Sequence, residues 1–194
     1  MKKLLIVIAT FIMLFSITGC TEQDKYEKKI FVNMDIQNYG TIELELYPDI
    51  APVTVDNFVS LVKSGFYDGL TFHRIIDGFM IQGGDPLGNG TGGSSKSIKG
   101  EYNANGFQND LKHERGVISM ARSPYDYNSA RSQFFIVQTT YPSLDGQYAS
   151  FGKVIKGIEI VDKICKETKV EDGNGTTLKE NQPVITKVYI VDEK

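Results

Sequence analysis

The chain has 194 residues, 41% of them hydrophobic, and its 21 basic and 24 acidic residues give a formal net charge of −3. This slightly acidic balance gives no support for nucleic-acid binding through phosphates or for a polybasic contact with anionic lipid. The length predicts one domain that is large enough to bury a real core.

The N-terminal segment predicts a secretory signal peptide over residues 1–19. Lys2 and Lys3 precede an apolar run at residues 4–15, which is shorter than the ~20 apolar residues of a membrane-spanning helix. Removing the segment changes the formal charge from −3 to −5, because it carries two lysines and no acidic residue.

The signal segment ends in Ile17-Thr18-Gly19-Cys20, which resembles the bacterial lipobox, where the cysteine is acylated and becomes the mature N-terminus. The alternative is an ordinary cleaved signal followed by a coincidental cysteine. The resemblance favours a lipoprotein held on the membrane by acyl chains such as palmitate, with its domain outside the cytoplasm. Residues 20–29 then comprise the lipidated cysteine and a polar tether.

Residues 30–194 are expected to form the domain. Apolar residues recur at every second position of 30–36 and again of 42–46, which predicts a β-hairpin at the start of the domain. Pro52 suits the first turn of a helix, and apolar residues follow at helical spacing as far as Val62. A second amphipathic helix is predicted at residues 157–166. Further strands are predicted at residues 70–76, 79–82, 117–121, 133–137, 148–155 and 184–191.

This count of about eight strands and two helices predicts an all-β-dominated fold. The specific prediction is a closed eight-stranded antiparallel barrel capped by two helices. Cys165 lies in an apolar-periodic stretch, which indicates a small buried side chain rather than a reactive thiol. If Cys20 is lipidated, Cys165 has no disulfide partner.

The stretch from residue 71 to residue 93 concentrates the candidate chemistry. Gly88, Gly90 and Gly93 fit the pattern GxGxxG, but no helix pattern follows, so glycines that form turns are favoured over a phosphate site. His73 and His113 have no partners at metal-ligand spacing, and no metal or cofactor is predicted. His73 is expected to be a satisfied, partly buried residue of its strand.

Arg74 is the most unusual residue of this stretch, because a charge between Phe72 and Ile75 of a strand is costly without a partner. Gln82 can hold the guanidinium group through its amide oxygen. Phe135 belongs to a second predicted strand, in which a glutamine again precedes aromatic residues. If this strand lies beside the first, Phe135 could extend the apolar surface next to Arg74. Periodicity alone favours a structural arginine at the rim of the barrel.

The ordered motifs of the domain resemble the cyclophilin family of peptidyl-prolyl isomerases. The resemblance runs from about Ile30 to the C-terminus and implies the family's eight-stranded barrel with two helices. The matching stretches are FHRII (72–76), GFMIQGGD (78–85), GTGG (90–93), GVISMA (116–121), SQFFI (132–136), LDG (144–146) and FGKV (151–154).

The resemblance implies a site as well. Arg74 corresponds to the catalytic arginine, with Gln82 and Phe79 as the other residues of the catalytic set. The substrate-binding residues implied are His73, Phe79, Met80, Gln82, Ala121, Arg122, Gln133, Phe135, Leu144 and Tyr148.

The chain departs from the common family pattern at several of these positions. Arg122 stands where many members have asparagine, and Tyr148 stands where many have histidine. Ser143 replaces a tryptophan associated with cyclosporin binding, so weak cyclosporin binding is predicted. The segment 123–131 is about two residues longer than the common eukaryotic form.

The function implied is rotation of X-Pro bonds in exported polypeptides, by a monomer that assists folding outside the cytoplasm. The main alternative is a proline-peptide binding module or chaperone with little turnover. A surface-anchored hydrolase is a distant third, because the sequence shows no nucleophile-base pair.

Overall fold

The computed structural model describes residues 28–191. The predicted signal peptide over residues 1–19, Cys20 and most of the predicted tether over residues 20–29 lie outside this range. Within it, no helix combines the length and the apolar character needed to cross a membrane.

Eight strands and two α-helices make up the described residues, as the sequence predicted. Three short 3-10 helices were not predicted; they are Asn103–Asn105, Pro142–Leu144 and Lys179–Asn181. The strands are β1 (Ile30–Ile36), β2 (Gly40–Leu46), β3 (Phe72–Ile76), β4 (Met80–Gly83), β5 (Val117–Met120), β6 (Phe134–Val137), β7 (Ser150–Lys156) and β8 (Ile185–Val191), and the helices are α1 (Pro52–Lys63) and α2 (Ile158–Glu167).

The strands form one curled antiparallel sheet in the order β3-β4-β6-β5-β7-β2-β1-β8. β3 and β8 are the two edges, and they meet only through an isolated bridge between Thr71 and Val184 and a few neighbouring main-chain hydrogen bonds. The prediction of a closed barrel is therefore wrong, and the sheet is an open half-barrel.

The barrel stays open because another segment of the chain pairs with the outer edge of β3. Ile75 N–H donates to the carbonyl of Gly175 at 2.8 Å, and the carbonyl of His73 accepts from Thr177 N–H at 3.1 Å. The segment before β8 thus satisfies the main-chain groups that a continuous ladder with β8 would need.

Helix α1 begins at the predicted proline, but its N-cap residue Ala51 has no side chain that can accept a hydrogen bond. A distant carboxylate replaces the usual cap: Glu101 accepts from the N–H groups of Val53 at 3.0 Å and Thr54 at 2.8 Å. Helix α1 packs on β8, and α2 packs on β2, β3 and β4.

Cys165 lies on the buried face of α2 as a free thiol. Burial raises the pKa of this thiol to about 12. A thiol that stays protonated at neutral pH is a poor nucleophile, which confirms the prediction of a structural cysteine.

Strand alternation separates the main core from a second apolar cluster on the other face of the sheet. Ile81 of β4 and the pair Phe134 and Ile136 of β6 belong to the main core. Their neighbours Met80 and Phe135 belong to the second cluster. Because successive side chains of a strand point to opposite faces, the same strands build both the core and the site described next.

Candidate active site

A cleft of about 650 Å³ lies over the second apolar cluster. It collects predicted residues that are far apart along the chain. Gln133 does not line it, but is hydrogen-bonded to Gln82 and lines a neighbouring hollow. The predicted residues that line the cleft are His73, Arg74, Phe79, Met80, Gln82, Ala121, Arg122, Phe135, Leu144 and Tyr148.

One side of the cleft is a chain of polar side chains set by strand register. Arg74 of β3 pairs with Gln82 of β4, which in turn pairs with Phe135 of β6. Arg74 Nη1 donates to Gln82 Oε1 at 3.3 Å, and Gln82 Nε2 donates to Gln133 Oε1 at 2.9 Å. The Gln82 amide is therefore fixed with its oxygen toward the guanidinium group.

The other hydrogen bond of Arg74 runs to the main chain: Nε donates to the carbonyl oxygen of Asn174 at 2.9 Å. Both acceptors are neutral, and Arg74 forms no salt bridge within residues 28–191. The Nη2 group has no acceptor in that range either. The guanidinium group is thus held in place, its positive charge is not neutralised by a carboxylate, and its Nη2 group can still donate a hydrogen bond.

The opposite side of the cleft is apolar and rigidly packed. Met80, Phe135 and Leu144 are 1%, 5% and 9% exposed, so their positions are fixed by packing before anything binds. Phe79 is half-buried, and the centroid of its ring lies 4.4 Å from the centroid of the Tyr141 ring. Such a wall suits a small apolar ring better than a charged or extended group.

Behind Phe135 lies a buried polar triad that the sequence did not reveal. His113 Nδ1 lies 3.1 Å from Asp145 Oδ1, and His113 Nε2 lies 3.1 Å from Ser119 Oγ. The imidazole stacks on the Phe135 ring with centroids 5.9 Å apart. Because a carboxylate only accepts, Nδ1 carries the proton of the neutral ring and Nε2 accepts from the serine hydroxyl.

This triad has the residue types of a hydrolase but not the access. Ser119 is completely buried and does not line the cleft. Burial lowers the pKa of His113, and the hydrogen bond and charge of Asp145 oppose this only in part. The arrangement supports Phe135 and the 3-10 helix that carries Leu144, and it gives the hydrolase alternative no exposed nucleophile.

His73 contrasts with His113. It is 5% exposed, and neither ring nitrogen has a hydrogen-bond partner among the described residues, so the prediction of a satisfied histidine is wrong here. Burial lowers the pKa of His73, the charge of Asp85 raises it, and the charge of Arg74 lowers it further. Both ring nitrogens of His73 are buried, so the ring presents no accessible donor beside Arg74.

The glycine loop folds around a carboxylate of the chain itself. Asp85 accepts from the N–H groups of Leu87 at 2.8 Å, Asn89 at 3.1 Å and Gly90 at 2.6 Å. Burial favours a higher pKa for Asp85, but these bonds and one from Gly92 N–H lower the pKa below its ordinary value. The amide groups that a phosphate would need are taken, which agrees with turn-forming glycines.

Arg122 lies at the rim of the cleft, but its charge is held by aromatic rings. Its guanidinium carbon lies 4.8, 5.0 and 5.2 Å from the ring centroids of Tyr148, Tyr127 and Tyr102. Its Nε also donates to the carbonyl of Gln147 at 3.0 Å. The residue therefore ties the longer 123–131 segment to the cleft through cation-π contacts.

Comparisons with known proteins decide the family. The sequence profile described as cyclophilin type peptidyl-prolyl cis-trans isomerase/CLD matches residues 31–192. This chain belongs to the cyclophilin-type isomerase family.

Named relatives support the same enzyme class. The chain is 46% identical over 141 residues to peptidyl-prolyl cis-trans isomerase B of Bacillus subtilis, covering 70% of this chain and 94% of that protein. It is 48% identical over 136 residues to a peptidyl-prolyl cis-trans isomerase of Helicobacter pylori, covering 69% and 80%. It spans only 26% of the isomerase-like 2 protein of Rhizopus delemar, at 45% identity over 141 residues and 72% of this chain. The predicted enzyme class, a peptidyl-prolyl cis-trans isomerase, is confirmed.

A solved structure gives the same result for the cyclophilin fold. A cyclophilin type peptidyl-prolyl cis-trans isomerase of Cryptosporidium parvum, crystallised in the presence of the dipeptide Ala-Pro, has a TM-score of 0.73 to this chain at 34% identity. The match covers 84% of this chain and 99% of that protein.

Several cleft residues of this cyclophilin were not predicted. Asn174 contributes only a main-chain carbonyl, so its side-chain type carries no signal. No turn was predicted at residues 172–175, and nothing local in the sequence indicates that they lie beside Arg74. Leu87, Thr176, Leu178, Lys179 and Gln182 complete this end of the cleft. Within residues 28–191, no three His, Cys, Asp or Glu side chains form a metal-binding group.

Proposed function

We propose that this cyclophilin accelerates X-Pro rotation by placing Arg74 against the proline nitrogen while the apolar wall holds the ring. The observation that carries the proposal is the state of the guanidinium group, which is positioned by two neutral acceptors and has no salt-bridge partner within residues 28–191. An arginine held in this way has charge and a donor to offer.

The chemistry of the bond explains why such a group is sufficient. Rotation about the peptide bond has a barrier of about 18–20 kcal/mol, because the nitrogen lone pair is delocalised into the carbonyl. In the twisted state the nitrogen regains its lone pair and becomes an acceptor. A cation that donates to it stabilises the twisted state more than either planar isomer, which is differential transition-state binding.

Arginine suits this role because the reaction transfers no proton. The guanidinium group stays charged at any working pH and does not act as a base. Met80, Phe135 and Leu144 form the wall for the proline ring, so the carbonyl side of the bond turns while the ring is held. Gln82 helps to fix the guanidinium group through its amide oxygen.

The first test compares Arg74→Ala with the wild type in a cis/trans exchange assay on a proline peptide. Removing one preorganised donor is expected to lower kcat/KM roughly 100-fold. Arg115→Ala is the matched control, because Arg115 also bonds a carbonyl and a side chain but lies outside the cleft. A loss of less than tenfold in Arg74→Ala would exclude Arg74 as the main catalyst.

A binding module with little turnover is the second candidate, and the preformed apolar wall favours it because that wall does not depend on Arg74. In that case Arg74→Ala retains client binding and refolding support, whereas Phe79→Ala or Phe135→Ala loses both. Equal loss of refolding support in Arg74→Ala and Phe135→Ala favours the isomerase.

The proposed setting is outside the cytoplasm, where the isomerase acts on exported polypeptides while attached to the membrane. The apolar run at residues 4–15 and the lipobox-like residues 17–20 support this. Radiolabelled fatty acid is expected to label the wild type and not Cys20→Ala, which is then released from the membrane fraction. Equal labelling of both proteins would exclude Cys20 as the acylated residue.

A further inference from the structure

The main-chain carbonyl of Asn174 is one of the two acceptors that fix Arg74, at 2.9 Å from Nε. A carbonyl has no freedom of its own, so its position depends on the conformation of the turn that contains it. We name residues 172–176 the arginine-holding turn.

The carboxylate of Asp172 organises this turn. Its Oδ1 accepts from the N–H groups of Asn174 at 2.9 Å and Thr176 at 3.1 Å. Its Oδ2 accepts from the Thr176 hydroxyl at 2.9 Å. These bonds, led by the main-chain bond from Thr176, lower the pKa of Asp172 below its ordinary value, so the side chain is ionised at neutral pH.

The arginine-holding turn also lies directly against β3. Arg74 and Thr176 form an isolated bridge, and Ile75 N–H donates to the Gly175 carbonyl at 2.8 Å. Gly175 has φ +80°, and a Cβ there would lie 2.3 Å from the carbonyl oxygen of Ile75. The close approach leaves the turn little room to shift as long as Asp172 keeps it closed.

Asp172 itself does not line the cleft and forms no salt bridge with Arg74 within residues 28–191. Within residues 28–191, the hydrogen bonds of its carboxylate go to members of its own turn. Any effect it has on the reaction therefore acts through its own turn, in which the Asn174 carbonyl bonds Arg74 and Thr176 forms a bridge with Arg74.

We propose that Asp172 is a positioning residue for the reaction: its carboxylate closes the arginine-holding turn, and the turn aims the guanidinium group of Arg74 at the substrate. This inference rests on the proposed catalytic role of Arg74. Small displacements of a catalytic group reduce the rate steeply, because the geometry of the transition state is narrow.

The test measures kcat and KM for a proline peptide in Asp172→Ala, Asp172→Asn and the wild type. Asp172→Ala is expected to lower kcat on the order of tenfold with KM within about twofold, since the apolar wall is untouched. Asp172→Asn is expected to restore most of the rate, because its amide oxygen accepts from the same two N–H groups. Asp35→Ala is the matched control: it removes an aspartate that accepts from Thr41 in the β1–β2 hairpin, away from the cleft.

The decisive measurement repeats Asp172→Ala in an Arg74→Ala background. If Asp172 acts only through Arg74, its removal there has no further effect on kcat. An unchanged kcat in the single variant, or the same fold-loss in both backgrounds, overturns the positioning role. If Arg74→Ala alone keeps full activity, the proposed catalytic role fails instead, which separates the two failures.

Discussion

The two sides of the cleft are built on different principles. On the polar side, Arg74 is held by single hydrogen bonds to Gln82 and to the Asn174 carbonyl, at 3.3 and 2.9 Å. On the apolar side, Met80 and Phe135 are almost completely buried in a packed cluster. Hydrogen bonds fix direction and packing fixes shape. In the proposed mechanism, the polar side acts in the chemical step and the apolar side acts in binding.

Both sides nevertheless come from the same three strands. Arg74 and Gln82 are cross-strand partners, and Gln82 is paired in turn with Phe135. A shift of one residue in either register would move these side chains to the core face. The arrangement of a polar side next to an apolar side is thus a consequence of strand register in a half-barrel.

The largest effect that tests this comparison is expected from Phe135→Ala. Truncation of a buried phenylalanine lowers the free energy of unfolding by about 3–5 kcal/mol. Loss of the wall is also expected to raise KM for a proline peptide at least roughly tenfold. Denaturant titration and steady-state kinetics measure the two effects separately.

Phe135→Leu keeps the test decisive if the alanine variant does not fold. Its matched control is Phe151→Leu, since Phe151 is fully buried in the main core and does not line the cleft. Both leucine variants lose stability, but only Phe135→Leu is expected to raise KM. An unchanged KM in Phe135→Leu contradicts the assignment of binding to the apolar side.

The sequence predicted those parts of the fold that depend on local periodicity. The hairpin of β1 and β2, the proline at the start of α1 and the buried face of α2 all follow from alternation or helical spacing. Closure of the barrel failed as a prediction, because it depends on whether β8 or the segment around Gly175 pairs with the edge of β3. Both possible partners are far from β3 along the chain, so no local sequence pattern shows which of them pairs with it.

The candidate site shows the same limit. From periodicity alone, Arg74 was more consistent with a structural role, and only the family resemblance indicated catalysis. His113 and Ser119 are six residues apart, and Asp145 lies 32 residues from His113, so no local sequence pattern predicts their contacts. The Asn174 carbonyl carries no side-chain signal at all. Residue type predicts what a group can do, whereas the packing of distant segments decides what it touches.

The smallest expected effect concerns the two histidines, one beside each side of the cleft. Burial lowers the pKa of both His73 and His113 below the ordinary value. As pH falls through about 6.5, the ordinary histidine value, the unfolded chain takes up protons before the folded chain does. The free energy of unfolding therefore decreases as pH falls from 6.5 toward the lowered pKa values of the folded protein.

Urea titrations of the wild type, His73→Asn and His113→Asn at pH 7.5, 6.5 and 5.5 measure this slope, at values chosen to span roughly one unit on either side of 6.5. Each variant is expected to show a shallower decrease than the wild type, because one group no longer takes up a proton on unfolding. His113→Asn is also expected to raise KM, since His113 supports Phe135, whereas His73→Asn leaves the apolar wall intact. Equal slopes in all three proteins contradict the lowered pKa values, and an unchanged KM in His113→Asn removes the buried triad from the support of the apolar side.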